Sequence, residues 1–195
     1  MTTTSSARRT RRDLVDAAIR CWAVDNTASL GAVAEVAGTG RTTLHRYFAN
    51  RAELVAAVDL ECRARFDDAV ARARPTEGSG LAALQRACVE LVGLGPVLGL
   101  IFADNALVDP DAWHPDEPEG APDGEDPLGR LIGRAYEDGS ADVTLPPEWV
   151  GTTVWTTLFA AWLYLQGGTA TAHEAALLCA GTVARSIGAP PGGLR

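Results

Sequence analysis

The side chains best placed to do chemistry in this chain lie between Ser29 and Arg51. Residues 41–47 read RTTLHRY, so Arg41, Thr42, Thr43, His45, Arg46 and Tyr47 all carry hydrogen-bonding groups around one apolar residue, Leu44. Arg51 follows closely. Such a cluster suits recognition of base edges and phosphates, since Arg and Thr hydrogen-bond both. Catalysis is a poor reading. Only His45, His114 and His173 are available, and no GxSxG, HExxH or phosphate-binding glycine loop occurs. The chain is therefore read as a non-enzyme that calls for no cofactor and no metal. Cys21, Cys62, Cys88 and Cys179 are widely spaced in apolar helical contexts, without a CxxC pair. They read as small buried thiols, with a redox switch as the alternative.

Those polar side chains need elements to hold them. Ser29 is placed to cap a short helix through Ala37, and Gly38 to end it, because glycine tolerates positive φ. Leu30, Val33, Ala34 and Ala37 form that helix's inner face. A second short helix at 41–47 is seated by Leu44 and by Phe48 after it, leaving its donors outward. That is the form of an element that enters a major groove. Upstream, Leu14, Ala18, Cys21 and Trp22 share one face of a helix over 11–24. Downstream, Asn50 caps a long helix over 51–74 with Val55, Val58, Cys62, Phe66 and Val70 in a stripe. Further helices are expected at 81–94, 96–107, 127–138, 147–166 and 171–187, with no convincing strand. The fold class is all-α, with about nine helices.

Charge sharpens this picture. The 195 residues carry a formal net charge of −8, which argues against a nucleic-acid partner. Residues 1–51, however, hold eight Arg against four acidic residues, and residues 52–195 hold nine Arg against twenty-one. A basic quarter, +4, is thus joined to an acidic remainder, −12. Residues 1–12 (MTTTSSARRTRR) are expected to form a short disordered basic arm. Residues 109–126 contain eight acidic residues and four prolines, and read as a loop. Between Trp149 and His173 no charge occurs, which approaches membrane-spanning length. Its four threonines, Gln166 and glycine pair favour a helix buried in protein, so the chain is read as cytoplasmic, with no membrane partner.

The segment AEVAGTGRTTLHRYFANRAEL (34–54) resembles the helix-turn-helix of the tetracycline-repressor (TetR) family. Ala34, Ala37, Gly38, Thr43, Leu44, Tyr47, Phe48, Asn50 and Leu54 fall on the family pattern. Gly40 departs from the usual Ser cap, His45 from the usual aromatic, and Arg51 from Lys. The resemblance implies a DNA-binding domain over 1–51 and a ligand-binding and dimerisation domain over 52–195. It implies that Arg41, Thr42, Arg46 and His45 face bases. It also implies that Thr43, Tyr47, Arg51 and the helix start at Ser29 and Leu30 meet phosphates, with Arg8, Arg9, Arg11 and Arg12 adding contacts from the arm. The implied partners are a double-stranded operator, a second copy of the chain and a small-molecule effector. The last two helices would form the homodimer bundle through Leu158, Ala161, Leu165, Ala176, Ala180, Gly181 and Ala184. Phe102, Asn105, Trp113, His114, Tyr136, Trp155, Phe159 and Trp162 are the expected lining of the effector pocket, with Trp113 and His114 folding over its mouth. The function implied is a dimeric, ligand-responsive transcriptional repressor.

Overall fold

The computed structural model describes residues 3–102, 107–108 and 127–190. Among them are nine helices and no strand. They are α1 (Thr3–Trp22), α2 (Leu30–Val36), α3 (Arg41–Tyr47), α4 (Arg51–Arg72), α5 (Gly80–Val92), α6 (Gly95–Phe102), α7 (Pro127–Glu137), α8 (Pro147–Gln166) and α9 (Ala172–Ile187). An isolated antiparallel bridge pairs Ala141 with Gly188. No single described helix is long and apolar enough to cross a membrane.

The chain divides into two compact units. The first takes Met1–Ala64 with Pro96–Pro110, the second Arg65–Gly95 with Asp111–Arg195, so α4 contributes to both. In the first unit α1 packs on α2, and α2 on α3. Leu14, Ala18, Trp22, Val33, Leu44, Phe48, Leu54 and Val58 are buried there. A Cβ on Gly99 of α6 would meet the Cβ of Ala23 at 3.2 Å, so that residue is small because α6 passes close to the end of α1.

In the second unit α5 packs on α7 and α9, and α8 on α9. The start of α5 is held closely. Asp138 accepts from the Gly80 amide at 2.5 Å and Ser140 from the Leu81 amide at 3.0 Å, which satisfies donors a helix start leaves open. A Cβ on Gly80 would lie 2.3 Å from the Ala135 nitrogen, so only glycine allows this approach of α5 to α7. The turn before it is held by two arginines. Arg86 donates to the carbonyls of Ala73, Arg74 and Glu77, and Arg134 to those of Pro75 and Gly78.

One expectation needs correction. Residues 3–10 continue α1 instead of forming a disordered arm. Ala7, Arg8, Arg9, Arg11 and Arg12 are good helix formers, and the packed half from Leu14 onward supplies the nucleus from which helix propagates. The helix expected over 96–107 is described as Gly95–Phe102, and residues 103–106 of it lie outside the described residues. The amides of Leu107 and Val108 both donate to Leu100 O.

Candidate functional site

The turn between α2 and α3 is built from its end caps. Ser29 Oγ accepts from the Ala32 amide at 3.3 Å and starts α2. At the other end Gly38 adopts φ +64°, Thr39 N donates to Ala34 O and Gly38 N to Glu35 O, both at 2.9 Å. This paired closure around a left-handed glycine turns the chain sharply into the next helix. α3 begins at Gly40, which offers no side chain to cap it, and ends at Phe48. Asn50 Oδ1 then accepts from the Glu53 amide at 3.0 Å, and Glu53 accepts from the Ala49 amide at 2.7 Å, which starts α4 reciprocally.

The result is a short helix anchored by Leu44 and Phe48, both fully buried. Arg41, Thr42, His45 and Arg46 are exposed, and Thr43 and Tyr47 are half-buried. Arg46 lies over the Tyr47 ring, its Cζ 5.3 Å from the centroid. One apolar side faces protein and a full set of donors faces out, an arrangement able to read a groove.

Arg51 sits differently. Its guanidinium donates to Ala28 O at 2.6 Å and to Asn26 O, and lies 4.4 Å over the Trp22 ring. Trp22 Nε1 donates to the same Ala28 carbonyl at 3.0 Å. Arg51 thus braces the loop that delivers Ser29 to the head of α2. In that loop Thr27 donates through both its hydroxyl and its amide to Asp25, which holds the Asp25 carboxyl below the usual carboxylate range. Ser29, Leu30 and Arg51 do come together, around an open hollow of about 530 Å³.

These features meet their counterparts in known proteins. Residues 14–58 match the family described as bacterial regulatory proteins, tetR family. The HTH-type transcriptional repressor LfrR of Mycolicibacterium smegmatis is 34% identical over 154 residues, 77% of each chain. The chain belongs to the TetR family. It is a TetR-family transcriptional repressor with a DNA-binding helix-turn-helix, and such regulators are not enzymes as a rule. The crystal structure of the TetR-like regulator LfrR from Mycobacterium smegmatis in complex with proflavine aligns at TM-score 0.69 and 28% identity, covering 91% of this chain and 96% of that one. A TetR-family regulator from Marinobacter aquaeolei, 16% identical, shares the fold at TM-score 0.69 over 96% of this chain and 99% of its own.

The residues expected to line an effector pocket divide. Asn105, Trp113 and His114 lie outside the described residues. Phe102 belongs to the first unit and is half-buried. In the second unit Trp155 stacks on Phe66 at 5.7 Å between centroids, and Phe159 leans on Trp162 at the same separation. Phe66 was seen in the sequence only as part of the α4 stripe. Tyr136 donates its hydroxyl to Leu145 O at 2.6 Å, and burial with Glu148 and Asp142 nearby pushes its ionisation up, so it stays a donor.

The two final helices carry their buried and open faces in an order the sequence did not reveal. Leu158, Ala161, Ala176 and Ala180 are buried inside the subunit, while Leu165, Gly181 and Ala184 are half-buried. Water is not kept from every face of α8, as its lack of charge suggested. Phe159, Leu163 and Tyr164 are exposed, and Leu177 and Leu178 of α9 are 55% and 54% exposed. Between the helices runs a groove of about 360 Å³, lined in part by Thr156, Ala160, Tyr164, Leu178 and Cys179.

Proposed function

We propose that this TetR-family protein is a homodimeric repressor that holds a palindromic operator and is released from it by a small-molecule effector. The observation that carries this reading is α3, a helix that buries Leu44 and presents Arg41, Thr42, His45 and Arg46 to solvent. In this reading those four side chains meet base edges. Thr43, Tyr47 and the hollow at Ser29, Leu30 and Arg51 meet phosphates. The DNA-reading part spans 1–51, and residues 52–195 carry effector binding and dimerisation.

One helix-turn-helix reads too few bases for a specific site, so a two-fold partner is required. The apolar stripes left open on α8 and α9 support self-association there, with Phe159, Leu163, Leu177 and Leu178 at its centre. LfrR has been crystallised with proflavine. The stacked Phe66 and Trp155 rings support a flat aromatic effector of that kind here. An effector releases the operator only by binding better to a conformer whose two recognition helices no longer match the half-site spacing. Selection from a random duplex library should return a palindrome with half-sites about one helical turn apart. Added proflavine should then weaken the complex; a library with no enriched sequence would refute the reading.

A second reading draws on Cys88 and Cys179. Both are buried, Cys88 on α5 and Cys179 on α9, two helices packed on each other, and the neighbouring thiol and burial hold the Cys88 ionisation up. Peroxide would oxidise the pair to a disulfide, the two thiols losing two electrons and two protons while the peroxide O–O bond breaks to give water. Operator binding that is unchanged by peroxide, and equal in Cys88→Ser, dismisses this switch.

A further inference from the structure

α9 has two faces of different make. Ala176, Cys179, Ala180 and Val183 lie buried on the inner one, on the side of α5 and α8. The outer side holds Glu174, Leu178, Gly181 and Arg185, spaced i, i+4, i+7, i+11, which keeps them in one narrow stripe. Glu174 and Arg185 are exposed, Leu178 is 54% exposed and Gly181 is half-buried. The stripe reads acid, large, small, base over about 16 Å. Turned end over end, it brings base to acid and small to large. Laid parallel to itself, it would set acid on acid, leucine on leucine and base on base. Both end residues can change partner cheaply. Glu174 accepts the Thr171 amide and hydroxyl through Oε2, both at 2.8 Å, so Oε1 can take a further donor. Arg185 curls back over Gly181, where its Nη1 would stand 3.1 Å from an added Cβ, and its Nη2 donates to Thr182 Oγ1 at a long 3.3 Å on the surface.

We propose that this stripe is self-complementary and selects a second copy of the chain, docked antiparallel about a two-fold axis level with Cys179 and Ala180. The partner's Glu174 then meets Arg185, the partner's Arg185 meets Glu174, and each Leu178 lies against the glycine across the axis. It rests on the homodimer reading above and adds the register and the basis of partner choice. Glycine at 181 lets the two helices approach closely, and the facing leucine fills the space between them. The charge pairs sit at the rim, where each contributes little affinity. Their effect is on choice: a chain of the same fold with a like charge at either end is turned away.

The full chain is tested without DNA, by sedimentation and native mass spectrometry. Glu174→Arg leaves base facing base at both ends of the stripe, and Arg185→Glu leaves acid facing acid. Each variant should dimerise roughly 10- to 100-fold more weakly than the parent, since two attractive pairs become repulsive. Mixed, the two variants restore an opposite pair at each end. Heterodimers should then exceed the half expected by chance and approach the parent's affinity, and about 1 M salt should erase the preference. Glu174 also closes the cap of α9, so Arg185→Lys beside Arg185→Glu supplies a comparison that leaves the cap intact: Lys should keep the dimer and Glu should weaken it. Variants that dimerise like the parent and mix by chance, or weakened variants that mixing does not rescue, overturn this register and leave the homodimer reading intact. A parent that stays monomeric at every concentration overturns the homodimer reading, and this inference with it.

Discussion

Gly40→Ser should stabilise the recognition helix. Gly40 is the cap residue of α3 and makes no side-chain cap bond, at φ −78° and ψ 147°. Ser29, Ser79 and Thr171 cap their helices at nearly the same angles, φ −73° to −82° and ψ 154° to 162°. Each accepts from an amide three residues on, at 3.2–3.3 Å. A serine at 40 therefore needs no change of backbone to accept from the Thr43 amide, and a Cβ there meets nothing within 4 Å. Replacing a glycine cap contributes a few tenths of a kcal/mol, and removing glycine's freedom in the unfolded chain contributes about 0.4–1 kcal/mol. The sum, about 1 kcal/mol, is large for a seven-residue helix that cannot stand alone. Hydrogen exchange at the α3 amides should slow about fivefold, and the melting temperature should rise by roughly 2–4 °C. Gly40→Ala separates the two parts, because alanine restricts the unfolded chain without supplying an acceptor. If Ser protects α3 no better than Ala, the cap bond does not form and the reasoning fails.

Arg46→Ala should weaken operator binding by about 1–3 kcal/mol and relax preference at the base it meets; equal affinity in a filter or fluorescence assay would sink that docking. Arg51→Met should destabilise the first unit by about 2–3 kcal/mol, since two charged hydrogen bonds and the contact with Trp22 are lost. Arg51→Lys should recover little of this, because an ammonium cannot fork to both Ala28 and Asn26; full recovery in urea unfolding would contradict the brace. Leu178→Asp with Phe159→Asp should yield monomers in sedimentation, and an unchanged dimer would place the interface elsewhere. Hydrogen bonds hold the Asp25, Asp138, Asp142 and Glu174 carboxyls below their ordinary range, with Thr27, Ser140, Thr144 and Thr171 the leading partners. Their folded values lie below their unfolded ones, so their stabilisation is present above about pH 4 and is lost as pH falls through the folded values. The melting temperature should drop across that acid range, less steeply in Asp138→Asn; a flat profile would refute the assignment.

The helix-turn-helix was legible because its signals are local. Ser29, Gly38 and Asn50 each act within five residues of themselves, and Leu44 and Phe48 fix which side of α3 is outward. Features that depend on distant partners were not legible. Arg51 read only as a phosphate contact, and its bracing of carbonyls 23 and 25 residues upstream gave no local signal. The start of α1 read as coil because Ser, Thr and Arg give no apolar period, whereas its helix is propagated from the packed half beyond it. On α8 the lack of charge removed the contrast that marks an inner face. Leu158 and Phe159 are neighbours of similar hydrophobicity, and only packing against α9 and α5 decides that Leu158 is buried while Phe159 is 38% exposed.

Placement also explains how a chain of net charge −8 can carry a DNA-binding surface. Charges act mainly within a Debye length, about 8 Å at physiological salt, so the sign of the whole molecule matters less than what surrounds each arginine. Near α2 and α3 two of the acids are turned to local use. Asp25 accepts from Thr27, and Glu53 accepts from the Ala49 amide. In the second unit the arginines are occupied instead. Arg72 pairs with Glu90 and Arg74 with Glu77, both at 2.9 Å, while Arg86 and Arg134 are fixed to backbone carbonyls. Arg41 and Arg46 on α3, with Arg8, Arg9 and Arg12 on α1, stay exposed. The first unit therefore keeps exposed positive charge on α3 and at the start of α1, and at that range its local sign outweighs the −8 of the whole chain.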